Sequence, residues 1–184
     1  MIGDLIFVHD KGFPAWLIRF WTRKGAPQDF PQGFNHVAIC VGPGTWLSAE
    51  PTGIRERTTK WLLRNASGYA VLRYEGRPIA IADQARIDKA PAVAAIWAKK
   101  LAEGRPYDFL GIVGFVLHRL LNIKVDWGNK WFCSELCCEA YLRAFDELGI
   151  PHSYRDPADT TPNDLYKWAK ANGFRVVATF ETGK

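Results

Sequence analysis

The sequence predicts one α+β domain in which strands and helices are mixed along the chain. Short apolar runs bounded by Gly and Pro indicate strands, and longer stretches with apolar residues three and four positions apart indicate helices. These segments do not alternate as βαβ units, which favours an α+β class over a parallel α/β sheet. A chain of 184 residues can bury a sizeable core, so we expect a single domain over residues 1–184.

The first half of the chain predicts strands around one short helix. Residues 3–10 form an apolar run typical of a buried strand. Residues 14–25 begin with proline, carry aromatic residues at helical spacing and end on glycine, which indicates a helix. Two strand-like runs, residues 35–42 and 45–51, are separated by Gly-Pro-Gly and predict a β-hairpin. A further strand is predicted at 69–76.

The second half predicts mainly helices and a final strand at 174–180. Apolar spacing predicts four helices, at 84–104, 107–121, 133–149 and 161–173. The helix at 107–121 is apolar and interrupted by two glycines, the one at 133–149 ends on glycine, and the one at 161–173 has a Pro/Asn start and a Gly stop. Within the helix at 84–104, Pro91 is expected near the first turn of the main helical part, where the missing N–H costs nothing.

Charge and hydropathy restrict the partners and the location of the protein. The net charge is +5, but no block of five or six basic residues occurs, so we expect a basic solvated surface and no nucleic-acid partner. The start lacks the basic region of a signal peptide, and the apolar run at 109–117 is too short for a transmembrane segment. We therefore expect a cytoplasmic protein with reduced thiols. No feature indicates an oligomeric state.

The hairpin predicts an imidazole beside a carboxylate. With a three-residue turn centred on Pro43, the residue numbers of each directly opposed pair would add up to 86. The opposed pairs would be Cys40–Trp46, Ala38–Ser48 and His36–Glu50. A carboxylate beside an imidazole can hold the ring tautomer and stabilise the imidazolium, as a general base requires. The alternative is a hydrogen-bonded core histidine with a carboxylate at the rim.

Three of the four cysteines lie in the stretch WFCSELCCEAYLRAF, residues 131–145. Cys133 is placed at a helix start, where the helix dipole and free backbone amides lower a thiol pKa. Cys137 falls on the apolar packing face, and Cys138 is offset from it by about 100°. A zinc site is the competing hypothesis, but no CxxC spacing occurs. We expect one reactive thiol, no metal and no cofactor.

Several motifs between residues 3 and 170 resemble one known superfamily. They are GDLIFV, LIRFWTR, NHVAICVG, EPTGI, YDFLG, FCSELCCEAY and TPNDLYKW. Together they resemble the circularly permuted branch of the NlpC-like papain-fold proteins, and most closely the YiiX-like (YebB-like) group, which is distantly related to lecithin:retinol acyltransferase. The histidine precedes the cysteine here, the reverse of ordinary papain-like enzymes, as permutation implies.

The resemblance implies a role for each site residue. Cys133 would be the nucleophile, His36 the general base and Glu50 the third member that orients the histidine. Tyr107 would lie near the nucleophile and assist the oxyanion; its alternative is a buried aromatic with a hydrogen-bonded hydroxyl. The implied fold is a permuted papain-like one, with a small antiparallel sheet or partial barrel packed against the cysteine-bearing helix.

These expectations favour a cysteine-dependent amidase or peptidase that works through a thioester. The expected substrate is a peptide or an acyl amide, and peptidoglycan-type peptides are candidates. A lipid-directed thiol hydrolase or acyltransferase is the first alternative, suggested by the tryptophan-bearing helix at 14–24 and the basic charge. A non-catalytic binding module on the same fold is the second alternative.

Overall fold

The computed structural model describes residues 1–11, 25–50, 53–76, 84–103 and 132–182. The strands are β1 (Leu5–Asp10), β2 (His36–Gly42), β3 (Thr45–Glu50), β4 (Gly53–Thr58), β5 (Ala66–Tyr74) and β6 (Phe174–Glu181). The helices are α1 (Thr59–Leu62), α2 (Gln84–Ala102), α3 (Cys133–Leu148) and α4 (Pro162–Ala171), with a 3-10 turn at Pro157–Asp159. The helix predicted at 107–121 lies outside these ranges, as does the one at 14–25 apart from Gly25.

The six described strands form one open antiparallel sheet in the order β4-β3-β2-β1-β5-β6. The predicted α+β class and the predicted antiparallel sheet are therefore confirmed. The sheet order places β2, which carries His36, between β1 and β3 in the interior of the sheet. A histidine at the start of an interior strand has its backbone held by a neighbouring strand.

The sequence prediction did not include strand β4, the short helix α1 or the 3-10 turn at Pro157–Asp159. The β4 sequence, GIRERT, is half charged and carries one large apolar residue, so it lacks the apolar alternation that marks a strand. Its position explains this composition, because β4 is an edge strand whose residues are mostly exposed or half-buried. The pairing with β3 is nevertheless complete, from Thr45–Thr58 to Glu50–Gly53.

The hairpin between β2 and β3 differs from the predicted turn. Gly42 pairs with Thr45, so the connection has two residues rather than three, and Gly44 adopts a positive φ of 66°. A bulge between Cys40 and Gly42 then shifts the pairing by one residue. The bulge and the shorter turn offset each other, and the predicted Cys40–Trp46 pair is confirmed.

The core lies on both faces of the sheet. The larger cluster includes Leu5 and Phe7 of β1 and packs against helices α2 and α3. The intervening β1 residues, Ile6 and Val8, belong to a smaller cluster on the other face, which contains Leu62 of α1. Among the residues that the structure describes, we find no helix with the length and hydropathy of a membrane span.

Helix α2 runs without interruption through Pro91, which corrects the expected position of this residue near a helix start. Pro91 is instead in the helix interior, where it cannot donate a backbone hydrogen bond. It packs directly against Gly3, since a Cβ built on Gly3 would lie 2.4 Å from the Pro91 Cβ. The missing side chain of Gly3 thus leaves the space for this helix against the start of β1.

Two asparagines hold the segment that leads into β2. Asn163, in the first turn of α4, accepts a hydrogen bond from the Phe34 N–H at 2.6 Å, and its side chain is fully buried. Asn35 accepts from the Asp10 N–H at 3.0 Å and donates to the Asp10 carbonyl at 2.7 Å. The C-terminal helix and the end of β1 therefore position the chain immediately before His36.

Asn163→Ala is expected to lower the free energy of unfolding by about 1–3 kcal/mol, because the Phe34 N–H would lose its acceptor inside the core. Chemical denaturation followed by tryptophan fluorescence measures this. Gln84→Ala, which removes an exposed amide bonded to Asp88, is the matched control and should change stability by less than about 0.5 kcal/mol. Equal effects of the two substitutions would contradict the assigned role of Asn163.

Candidate active site

Cys133 is the first residue of helix α3, as the sequence predicts. The preceding residue, Phe132, has extended backbone angles, and its N–H donates to Glu135 Oε2 at 3.2 Å. The buried hydroxyl of Ser134 donates to the Thr160 carbonyl at 2.5 Å. These two contacts fix the helix start, where the first backbone N–H groups have no acceptor within the helix.

His36 lies at the start of β2, close enough to the Cys133 thiol for each group to shift the pKa of the other by charge and by hydrogen bonding. Both residues are half-buried. The structure therefore brings together the predicted nucleophile and the predicted base, which are far apart in the sequence. Their meeting point is where helix α3 begins against the sheet.

The sheet opens beside this pair. The β2–β3 pairing ends at Ile39–Leu47, so the predicted Ala38–Ser48 and His36–Glu50 pairs do not belong to the backbone ladder of these two strands. The Cys40 N–H donates to β1, and alternation along an antiparallel strand directs the Val37 N–H to the other side, toward β3. There it helps to lower the pKa of the Cys133 thiol. Because β2 and β3 are not paired here, the Val37 N–H is available to the Cys133 thiol.

The pKa of Cys133 is lowered from the ordinary thiol value. Burial alone would raise it, since burial disfavours the thiolate. The charge of the His36 imidazolium and its hydrogen bond outweigh that effect, with help from the backbone N–H groups of Val37 and Ser134. The N-terminal end of a helix dipole acts in the same direction.

The pKa of His36 is raised above its ordinary value. Burial alone would lower it, but the Cys133 thiolate favours the charged ring through its charge and its hydrogen bond. The carboxylates of Glu50 and Asp10 add smaller contributions of the same sign. The opposite shifts of the two pKa values favour a thiolate–imidazolium pair.

The other three cysteines have pKa values shifted in the opposite direction. Burial raises the pKa of Cys40, and it raises that of Cys137 well above the ordinary value. Burial also raises the pKa of Cys138 to about 12, despite a hydrogen bond with Thr160. Cys133 is therefore the one cysteine of the four whose surroundings favour the thiolate.

Glu50 and His36 are close enough to interact by charge, but the carboxylate of Glu50 is held by Arg57. Arg57 donates from Nε to Oε1 at 2.8 Å and from Nη2 to Oε2 at 2.6 Å. The hydrogen-bond partner of His36 Nε2 is instead the Ser48 hydroxyl, with Nε2 and Oγ 2.8 Å apart. Sequence reasoning placed Ser48 on the same strand face as Glu50 but assigned it no role.

Tyr107, the fourth predicted site residue, lies outside the described residues. Within the described ranges, no group of three or more His, Cys, Asp or Glu side chains is arranged to hold a metal ion. The Cys133, Cys137 and Cys138 side chains of the zinc hypothesis thus do not form such a group.

Comparison with known proteins assigns no family to this site. No protein-family model matches the chain, and no curated protein is significantly similar to it. Any chemistry assigned to Cys133 and His36 therefore depends on their geometry and on the sequence motifs.

Proposed function

We propose that the protein is a cysteine hydrolase that cleaves an amide bond through a thioester on Cys133. One observation carries the proposal: a thiol with a lowered pKa, at the start of a helix, hydrogen-bonded to a histidine whose pKa is raised. A thiol and a base in direct contact are the minimal requirement for nucleophilic catalysis by cysteine. A binding module would have no use for this combination.

In the proposed reaction, His36 takes the proton of the Cys133 thiol, and the sulfur attacks the carbonyl carbon of the substrate. The tetrahedral intermediate collapses as the C–N bond breaks, and the leaving amine receives the proton from His36. Water then gives a proton to His36 and attacks the thioester. The C–S bond breaks, which releases a carboxylic acid and restores the thiol.

The oxyanion of the tetrahedral intermediate needs hydrogen-bond donors near the sulfur. The first-turn N–H groups of α3 lie there without intrahelical acceptors, and the Ser134 N–H already donates to the sulfur. We infer that the N–H groups at this helix start bind the oxyanion. We include a hydrogen bond from Tyr107 to the oxyanion in the proposal, and this part is based on the sequence resemblance alone.

The proposal also includes a specific fold family and a substrate class. The antiparallel sheet and the His-before-Cys order support a single permuted papain-like domain of the NlpC type. That resemblance makes peptides or acyl amides, including peptidoglycan-type peptides, the first substrates to test. Ester lipids represent the acyltransferase-like alternative.

The test compares the wild type with Cys133→Ala on a panel of peptidoglycan-derived peptides, N-acyl amides and ester lipids. We expect amide cleavage by the wild type and no turnover by Cys133→Ala, because the thioester cannot form. Mass spectrometry of the quenched wild type should show an acyl group on the peptide that contains Cys133.

Cys138→Ala is the matched control, since it removes a buried thiol from the same helix. It should keep turnover within a few-fold of the wild type. Turnover that survives in Cys133→Ala would refute the nucleophile, and cleavage of esters alone would replace the amidase with the lipid-directed enzyme.

A further inference from the structure

The direct partner of the catalytic histidine determines its tautomer, and the contacts around His36 indicate a different partner from the predicted one. To accept the Cys133 proton, the neutral ring must be unprotonated at the nitrogen that faces the sulfur. Its own proton must then be on the other nitrogen and needs an acceptor. Nε2 is bonded to Ser48 Oγ, which assigns the thiol to Nδ1.

Ser48 is built to hold a fixed position. Its side chain is fully buried, and its residue pairs with Arg55 in the uninterrupted β3–β4 ladder. The β2–β3 ladder ends before Ser48, and the Ser48 hydroxyl lies 2.8 Å from His36 Nε2. A buried hydroxyl on a paired strand has little freedom to move away from the ring.

Glu50, by contrast, has both carboxylate oxygens engaged by Arg57. A bidentate arginine–carboxylate pair has a fixed geometry and a net charge near zero. Arg57 also stacks on Trp61, with its guanidinium carbon 4.0 Å from the ring centroid. Arg57 therefore occupies both oxygens of Glu50 and offsets its charge.

We propose that Ser48 is the positioning residue of the Cys133–His36 pair, and that Glu50 acts on His36 only through its charge, attenuated by Arg57. This inference rests on the proposed function. The Nε2–H of neutral His36 donates to Ser48 Oγ, which leaves Nδ1 to accept the thiol proton. In the imidazolium, Nδ1–H donates to the thiolate and Nε2–H still donates to Ser48.

The test measures the pH midpoint of Cys133 alkylation by iodoacetamide, with peptide mass spectrometry to locate the label. For Ser48→Ala we expect the midpoint to rise by about one pH unit, because the imidazolium loses an acceptor and the thiolate loses its stabilising charge. For Ser48→Thr, which keeps the hydroxyl, we expect a midpoint near that of the wild type. Glu50→Gln should move the midpoint less than Ser48→Ala.

A second readout follows the tautomer directly. Long-range ¹H–¹⁵N spectra of neutral His36, recorded in a Cys133→Ser background so that Nδ1 faces an uncharged hydroxyl, should show the Nε2–H form, and a mixture of tautomers when Ser48→Ala is added. Ser67→Ala is the matched control, since Ser67 is also a buried strand serine whose hydroxyl donates to a carbonyl, that of His9. It should leave both readouts unchanged. Near-UV circular dichroism verifies that each variant is folded.

The outcomes separate this inference from the proposed function. A wild-type midpoint at the ordinary thiol value would refute the Cys133–His36 pair, and the role of Ser48 with it. A lowered wild-type midpoint that Ser48→Ala does not change would overturn the role of Ser48 alone. A larger shift in Glu50→Gln than in Ser48→Ala would return the orienting role to Glu50.

Discussion

His36→Ala is expected to raise the apparent pKa of the Cys133 thiol by at least about one unit, the size of effect that a nearby opposite charge has on a pKa. In the wild type the imidazolium favours the thiolate, so the thiol titrates below its ordinary pKa. Alkylation should therefore reach its plateau at a lower pH in the wild type than in the variant. The rate of iodoacetamide labelling of Cys133 between pH 5 and 10 measures both midpoints.

His152→Gln is the control for removal of a histidine elsewhere. His152 packs against Phe145 on helix α3 and does not contribute to the pKa shift of Cys133. Its substitution should leave the midpoint unchanged. The remaining cysteines are buried with raised pKa values and should stay unlabelled in the folded protein. A midpoint in His36→Ala equal to that of the wild type would contradict the ion pair.

Gly3→Ala is expected to cost about 2–5 kcal/mol of unfolding free energy, the sum of left-handed backbone strain and overpacking. Gly3 has a φ of 83°, and an added Cβ would lie 2.4–2.5 Å from atoms of Pro91. The backbone cannot shift to relieve this contact, because the Gly3 N–H donates to the Cys40 carbonyl at 2.8 Å and the Gly3 carbonyl accepts from the Tyr141 hydroxyl at 2.6 Å. Urea denaturation provides the measurement.

Gly44→Ala separates the cost of backbone strain from the cost of the contact with Pro91. Gly44 also has a positive φ, of 66°, but an added Cβ would meet no atom within 4 Å. Its substitution should cost only the backbone strain, about 1–2 kcal/mol. Equal losses in Gly3→Ala and Gly44→Ala would show that the contact with Pro91 is relieved without cost.

Local patterns were sufficient to locate most of the described elements. Helix α3 begins at Cys133 and ends before Gly149, whose φ of 64° is the left-handed conformation that favours glycine after a helix. Helix α4 begins at Pro162 after a Thr161 cap, close to the predicted start. Caps and apolar spacing are local properties, so the chain displays them without its tertiary contacts.

Strand β4 and the hairpin turn show where local patterns fail. An edge strand can be charged, because solvent covers its outer side, and a charged strand has no apolar period. The bulge at Cys40–Gly42 could not be predicted either, since a bulge changes the pairing between strands without any distinctive residue. The correct Cys40–Trp46 pairing was thus obtained from an incorrect turn.

By itself, the sequence determined the two residues of the candidate site that depend on local position: a thiol at a helix start and a histidine at the start of a strand. Which residue bonds the histidine as the third member of the site depends on the tertiary structure. Alternation along β3 puts Ser48 and Glu50 on one face, and the sequence cannot say which of them reaches the ring. In the structure the β2–β3 ladder ends before Ser48, the Ser48 hydroxyl bonds the His36 ring, and Glu50 pairs with Arg57. Hydrogen bonds depend on distances, and only the folded chain sets these distances.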